Sequence, residues 1–218
     1  MTIDAGLGPA LELLLQGIWP TLLVTACAYL IAAALGMVVA LMRVSPVKAL
    51  RLCGAAYVEV LRGMPSLVMV LLIYFGLSDL LPMPPMVAAI TGLALVNTAY
   101  LAEYYRAGIE AVPRGQREAA EALGLTGRQV FWRIIWRQGV RVALPPSTSQ
   151  AIGMLKESAV ISAIGVADIT FQALTAAHRG APPIQLFAIA GGLYLCLSIP
   201  IAVLSRTVEH RMQNRTAA

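Results

Sequence analysis

Long charge-free apolar runs alternate along the chain with short segments that gather most of the ionisable residues. An α-helix needs roughly 20 mostly apolar residues to cross a hydrocarbon layer. Windows of about that character cover residues 13–42, 57–77, 86–105, 146–166 and 184–205. The first carries no charge and is long enough to tilt or to extend beyond the bilayer. Pro82, Pro84 and Pro85 break the chain before the third window, and Pro182 and Pro183 precede the fifth. Charges interrupt the second and fourth windows, the fourth holding Lys156 and Glu157. Both are still expected to cross, because apolar backbone in lipid must satisfy its own hydrogen bonds in a helix. The pattern predicts one all-α membrane domain over 1–218 with five transmembrane helices.

Composition supports this. Hydrophobic residues make up 59% of the chain and charged residues 12%, about half the charged share of a soluble domain. The net charge of +5 reads as topology. Arg43, Lys48 and Arg51 follow the first window. Arg114, Arg117, Arg128, Arg133, Arg137 and Arg141 follow the third, and Arg206, Arg211 and Arg215 the fifth. The opposite segments hold only Arg179. The positive-inside rule then places the N-terminus outside and the C-terminus in the cytoplasm. Nucleic-acid binding is not expected, since it calls for basic residues with exposed aromatics on a soluble face. Nor is a cleavable leader, since the first window is too long and lacks a basic flank.

No phosphate loop, dinucleotide fingerprint, zinc-protease helix or nucleophile elbow is present. The chain is expected to be non-catalytic, with any free energy supplied from elsewhere. Cys27, Cys53 and Cys196 lack metal-ligand spacing and read as buried small hydrophobes. His178 and His210 are isolated, and neither a metal nor a bound cofactor is expected.

The largest polar stretch, about 113–141, holds a second kind of pattern. Pro113 suits a helix start, residues 115–123 are helix-forming, and Gly124 stands where a left-handed cap is expected. A helix this short is not stable alone in water and must be held by packing. Ala119, Ala120 and Ala122 offer a small-residue surface that can seat against another body, and Glu118 and Glu121 can meet a partner's basic groups. A second helix starts at Thr126, with Gln129 completing a capping box. Phe131, Ile134 and Ile135 form its apolar face, while Arg133, Arg137 and Arg141 recur every four residues on another. Trp132 and Trp136 lie one turn apart, a composition favoured at a membrane–water interface. Periodicity alone is equally satisfied by a helix pair riding on the membrane surface.

Glu118-Ala119-Ala120 with Gly124, and Leu144-Pro145-Pro146 beyond, resemble the EAA signature of the membrane subunits of ABC importers. Further stretches are similar to the polar amino acid permeases, the histidine/glutamine/arginine/opine branch. They are 58–65 (VEVLRGMP), 97–103 (NTAYLAE), 112–116 (VPRGQ) and 164–168 (IGVAD). The resemblance covers roughly residues 10–212. It implies the type I ABC importer permease fold, in which the short helix is a cytoplasmic coupling helix between spans three and four, with Glu118, Ala119, Ala120 and Gly124 meeting an ATP-binding cassette subunit. It also implies a bacterial plasma membrane, a second permease copy or paralogue, an extracytoplasmic solute-binding protein and an amino-acid-like substrate, with ATP and Mg²⁺ bound by the ATPase. Met64 and the apolar run 67–70 depart from the branch, which usually has threonine at position 64 and a glutamine soon after.

Polar groups inside spans are costly and face a bundle interior or a wet cavity. The candidates for a substrate path are Arg62, Asn97, Tyr100, Glu103, Lys156 and Glu157. Glu59 and Arg62, spaced i and i+3, are equally suited to an ion pair. Asn97 is equally suited to a helix–helix hydrogen bond, and Glu103 to snorkelling at the interface. Lys156 and Glu157, being adjacent, point in different directions, so one can hold a neighbouring helix while the other meets solvent or substrate. A passive helical channel accounts for the spans but gives no reason for the alanine-rich helix.

Overall fold

A computed structural model describes residues 7–214. The side chains of His210 and Arg211, and all of Arg215, lie outside the described set. Every described element is helical. Helices α1 (Leu7–Gln16) and α2 (Ile18–Arg43) join at Gly17 into one apolar run, Gly8–Arg43. Helix α3 (Lys48–Arg62) leads to α4 (Ser66–Gly76), and α5 (Pro85–Glu110) forms the next long helix. The polar stretch forms α6 (Arg114–Ala122) and α7 (Gly127–Val130), then a π-helical turn, Phe131–Ile135, that runs into α8 (Trp136–Glu157). A 3₁₀ segment, Ser158–Ile164, is followed by α9 (Ile169–His178) and α10 (Pro183–Asn214).

Three helices are long and apolar enough to cross a membrane, and five spans result when each of two bent pairs counts as one. The second window is such a pair and departs from the single helix expected over 57–77. Helices α3 and α4 meet at 100°. Pro65 drives the break: it lacks an N–H and pushes the residue before it out of the helical region. Helix α4 has 11 residues, about 16 Å at 1.5 Å per residue. That is short of the roughly 30 Å hydrocarbon core.

The fourth window differs as well. Pro145 and Pro146 lie inside α8 and do not start it. The helix expected to lie separately at the interface from Thr126 is continuous with the fourth span through the π turn, and the run Gly127–Ile164 meets α9 at 46°. In lipid, neighbouring helices, Ser/Thr side chains and local π adjustments make a proline tolerable within a span. Here Ser147 donates to the Ala143 carbonyl at 2.7 Å, and Thr148 to Pro145 at 2.9 Å.

Helix α5 is the hub on which α2, α3, α4 and α8 pack. Its buried residues are mostly small, including Ala88, Ala89, Gly92, Ala94, Ala99, Ala102 and Gly108. Lipid tails give no hydrophobic drive for helix association, so close backbone approach and van der Waals contact must supply it. Val24 of α2, Val70 of α4, Leu93 of α5, Met154 of α8 and Ile161 form the main core. A second cluster joins Leu14 of α1, Ile169 and Ala173 of α9 and Leu186 of α10. Buried Asp168 caps α9 by accepting from Phe171 N at 2.8 Å and also accepts from Tyr194 Oη of α10 at 3.1 Å. Contrary to the expected burial, Cys53 and Cys196 are exposed on the chain's outer surface, and Cys27 is half-buried.

Candidate functional site

Helix α6 is built as its sequence requires, with one shift. Pro113 is the residue before the helix and not its first turn. Gly124 adopts φ +77°, the left-handed conformation a side chain disfavours. Around it, Gly124 N donates to Glu121 O at 2.9 Å and Leu125 N to Ala120 O at 3.2 Å. These two bonds make a Schellman cap that ends the helix sharply. Two residues on, Thr126 and Gln129 form the expected capping box, with Thr126 N donating to Gln129 Oε1 at 2.9 Å.

The alanine surface is divided between inside and outside. Ala120 is 3% exposed and packs with Ile109, Val112, Val130 and Ile135 of its own chain. It therefore fixes α6 to the body and does not present a face to another protein. Ala122, Glu118 and Glu121 remain exposed, and Leu123 protrudes at 82% exposure. Two polar ties complete the attachment. Arg117 Nη2 donates to the Ile109 carbonyl at 2.7 Å, and the Gln138 amide donates to Gln116. The first tie reaches the end of α5 and the second the start of α8. A groove of about 450 Å³ between α6 and α8 is lined by Ala119, Leu123, Arg133, Arg137 and Arg141 among others. Trp132 and Trp136 lie against each other with ring centroids 5.6 Å apart and planes tilted by 59°, and Trp132 is exposed.

Three of the candidate path residues converge on one cavity of about 420 Å³ between α2, α3 and α5. Arg62, Tyr100 and Glu103 line it with Arg43, Val58, Glu59 and Gly63. Glu103 does more than snorkel. It pairs with Arg43 of α2 and with Arg106, and Arg106 also pairs with Glu110. Arg62 does not pair with Glu59, as the i, i+3 spacing allowed. Its guanidinium carbon lies 5.3 Å from the Tyr100 ring centroid, a cation–π arrangement.

The remaining candidates are placed elsewhere. Asn97 is fully buried, donates to Leu93 O at 2.9 Å, and accepts from Gln150 Nε2 at 2.8 Å. Tyr104 donates to Gln150 Oε1 at 3.2 Å. Asn97 thus sits in the α5–α8 contact as a helix–helix hydrogen bond. Glu157 Oε1 accepts from Ser66 Oγ at 2.7 Å, tying the end of α8 to the start of α4 beside the Pro65 break. Lys156, its neighbour, is exposed. One residue of this pair holds a helix and the other is open, the division of labour their adjacency required.

Several contributors escaped the sequence reading. Gln150, Ser66 and Gln116 are neutral polar residues without periodicity, and only the fold supplies their partners. Arg43 counted there only as a topology signal, and its role as the counter-ion of Glu103 across 60 residues of sequence leaves no local trace.

Comparison with known proteins agrees with this architecture. The family described as "Binding-protein-dependent transport system inner membrane component" matches residues 13–214. The "Probable amino-acid permease protein YxeN" of Bacillus subtilis (strain 168) is 33% identical over 207 residues, covering 93% of this chain and 92% of that protein. The "Probable glutamine ABC transporter permease protein GlnM" of the same organism is 31% identical over 200 residues, covering 91% and 93%. Among solved structures, one described as "Crystal structure of an amino acid ABC transporter with histidines" superposes with a TM-score of 0.89 at 36% identity, covering 97% of this chain and 100% of that one. An inward-facing MetNI methionine ABC transporter shares the fold, with a TM-score of 0.81 at 20% identity over 94% of this chain and 98% of that one. A match along nearly the whole length, on a helical bundle of the same shape, makes this chain a member of the binding-protein-dependent transport system inner membrane components, the multi-pass permease subunits of ABC transporters.

Proposed function

We propose that this chain is the permease subunit of an ATP-driven importer for a polar amino acid or a related small zwitterion. Amino acid permeases among its relatives support the substrate class. The observation that carries the mechanism is the double attachment of α6 to the ends of α5 and α8 through Arg117 and Gln138. A push on α6 is delivered to both helices at once. In this reading the exposed face of α6, with Glu118, Ala119 and the Gly124 cap, seats in a cytoplasmic ATP-binding cassette subunit, and Ala120 holds the helix to the bundle. That subunit binds ATP and Mg²⁺. The arginine-rich end lies in the cytoplasm and the N-terminus outside.

Solute arrives from an extracytoplasmic binding protein and passes between this chain and a second permease copy or paralogue by alternating access. Lys156, open at the junction of α8 and α4, offers a cation to the solute while Glu157 holds that junction through Ser66, and the Arg62, Tyr100 and Glu103 cavity lies further toward the cytoplasm. Met64 stands at the Pro65 break beside this route.

The test is to purify the chain in mild detergent, identify what accompanies it, and reconstitute the assembly in liposomes. The reading expects an ATPase partner and ATP-dependent amino acid uptake stimulated by a binding protein. A passive channel is the rival. Sustained solute flux through the purified chain alone, with no ATPase associated, would replace the importer with it.

A further inference from the structure

The cavity shared by α2, α3 and α5 holds one charge of each sign without an ion pair among the described residues. The Glu59 carboxylate has no hydrogen-bond or ion-pair partner among the described residues. Arg62, one turn on along α3, is positioned to close an i, i+3 pair with it. Instead its guanidinium lies over the Tyr100 ring, 5.3 Å from the centroid, and Tyr100 Oη reaches the Arg62 carbonyl at 3.4 Å. A cation–π contact uses the charge of the guanidinium and leaves its N–H donors available for a bidentate anion. Arg43 and Glu103, which complete the charged lining, pair with each other, and Glu103 also pairs with Arg106 and lies within the field of Arg62. The cavity therefore presents a cation and an anion that have no direct polar side-chain partner. Its volume of about 420 Å³ falls within the roughly 300–1,000 Å³ of small-molecule sites.

We propose that this cavity is an amino acid subsite on the cytoplasmic side of the path, in which Arg62 receives the α-carboxylate and Glu59 the α-ammonium of solute on its way out. The proposal rests on the reading of the chain as an amino acid permease. Both recognised groups belong to the amino acid backbone, so the subsite accepts L-amino acids of different side chains and leaves selection to other parts of the importer. It is separate from Lys156 and Glu157, which lie at the far end of α8 from the α6 attachment.

The experiment uses the complete assembly with its ATPase in nanodiscs, without binding protein or nucleotide. Equilibrium binding of radiolabelled L-arginine, L-glutamine and agmatine, the arginine analogue lacking the carboxylate, is measured. Both amino acids should bind saturably, and agmatine at least about tenfold more weakly than arginine. Arg62→Gln and Glu59→Gln should each remove one binding component or weaken it at least about tenfold, with Arg62→Lys in between, since lysine keeps the charge but loses the fork. Glu59 is exposed and unpaired, so Glu59→Gln leaves the fold intact and keeps the test decisive should Arg62→Gln fail to assemble. Absence of saturable binding to the wild-type assembly, equal binding of agmatine and arginine, or binding unchanged by Glu59→Gln overturns the subsite. ATP hydrolysis stimulated by binding protein is read on the same preparations. If hydrolysis is coupled while binding is unaffected, only the subsite falls; if no ATPase assembles, the importer reading falls with it.

Discussion

Gly108 of α5 and Gly139 of α8 face each other so closely that a methyl group on either would strike the other's backbone. A Cβ built on Gly108 lies 2.5 Å from Gly139 O, and one on Gly139 lies 2.9 Å from Gly108 O. The crossing stands between the two points to which α6 is tied, Ile109 and Gln138. It joins the ends of α5 and α8 into a single unit, as the proposed coupling through α6 requires. Gly108→Val and Gly139→Val should each force the helices apart and destabilise the purified chain by about 1–3 kcal/mol, the usual cost of overpacking. Thermal unfolding in detergent reads this as a lower Tm, and an unchanged Tm for both variants would remove the crossing from the account.

Gly124 offers a prediction of a different kind. Its φ of +77° costs a β-branched residue roughly 1–2 kcal/mol, and relief of that strain unwinds the Schellman cap. Gly124→Val, and Glu118→Lys on the exposed face, should leave membrane insertion intact while separating ATP hydrolysis from uptake. The ratio of solute transported to ATP hydrolysed in proteoliposomes is the measurement, and a wild-type ratio in both variants counts against α6 as the coupling element.

Asn97→Leu deprives Gln150 of its acceptor between α5 and α8. The coupling between Asn97 and Gln150 in a double-mutant cycle with Gln150→Leu should be about 0.6–1.7 kcal/mol, as for other hydrogen bonds within membranes. The assembled importer should show a lower Tm with an unchanged apparent affinity for solute. A shifted affinity at constant Tm would return Asn97 to the path.

Glu103 is the shared acceptor of Arg43 and Arg106. Glu103→Gln leaves two guanidinium groups facing a neutral amide. It should destabilise the chain by about 1.5–3 kcal/mol, the range for hydrogen bonds to charged groups. Arg43→Glu should be worse than Arg43→Gln, because it sets two carboxylates together. Chemical denaturation in detergent distinguishes these outcomes.

The spans and the caps were legible because their causes are local. Gly124, Thr126 and Gln129 act on neighbours within five residues, and their geometry followed from residue type alone. The kink before α4 was legible in principle at Pro65 and in the charges of Glu59 and Arg62 before it, yet the apolar run that follows masked it. The continuity of α8 through Pro145 and Pro146 was hidden for the opposite reason: prolines that end a helix in water are tolerated in lipid. Of the path candidates, Arg62, Tyr100 and Glu103 were drawn to one place, while Asn97 was identified as a buried polar group without its partner. Pairings such as Arg43 with Glu103 and Gly108 with Gly139 depend on which helices cross, and a linear pattern does not record a crossing.

The central claim is that α6 is the handle through which a separate ATPase moves the bundle. The most direct measurement is site-directed cross-linking from Glu118→Cys, in a background with Cys27, Cys53 and Cys196 replaced, to the ATPase subunit of the native assembly. The account predicts a cross-link whose yield changes with ATP, and protection of that thiol from impermeant reagents added outside intact cells. A thiol modified from outside, or no cross-link to an ATPase in any nucleotide state, would contradict it.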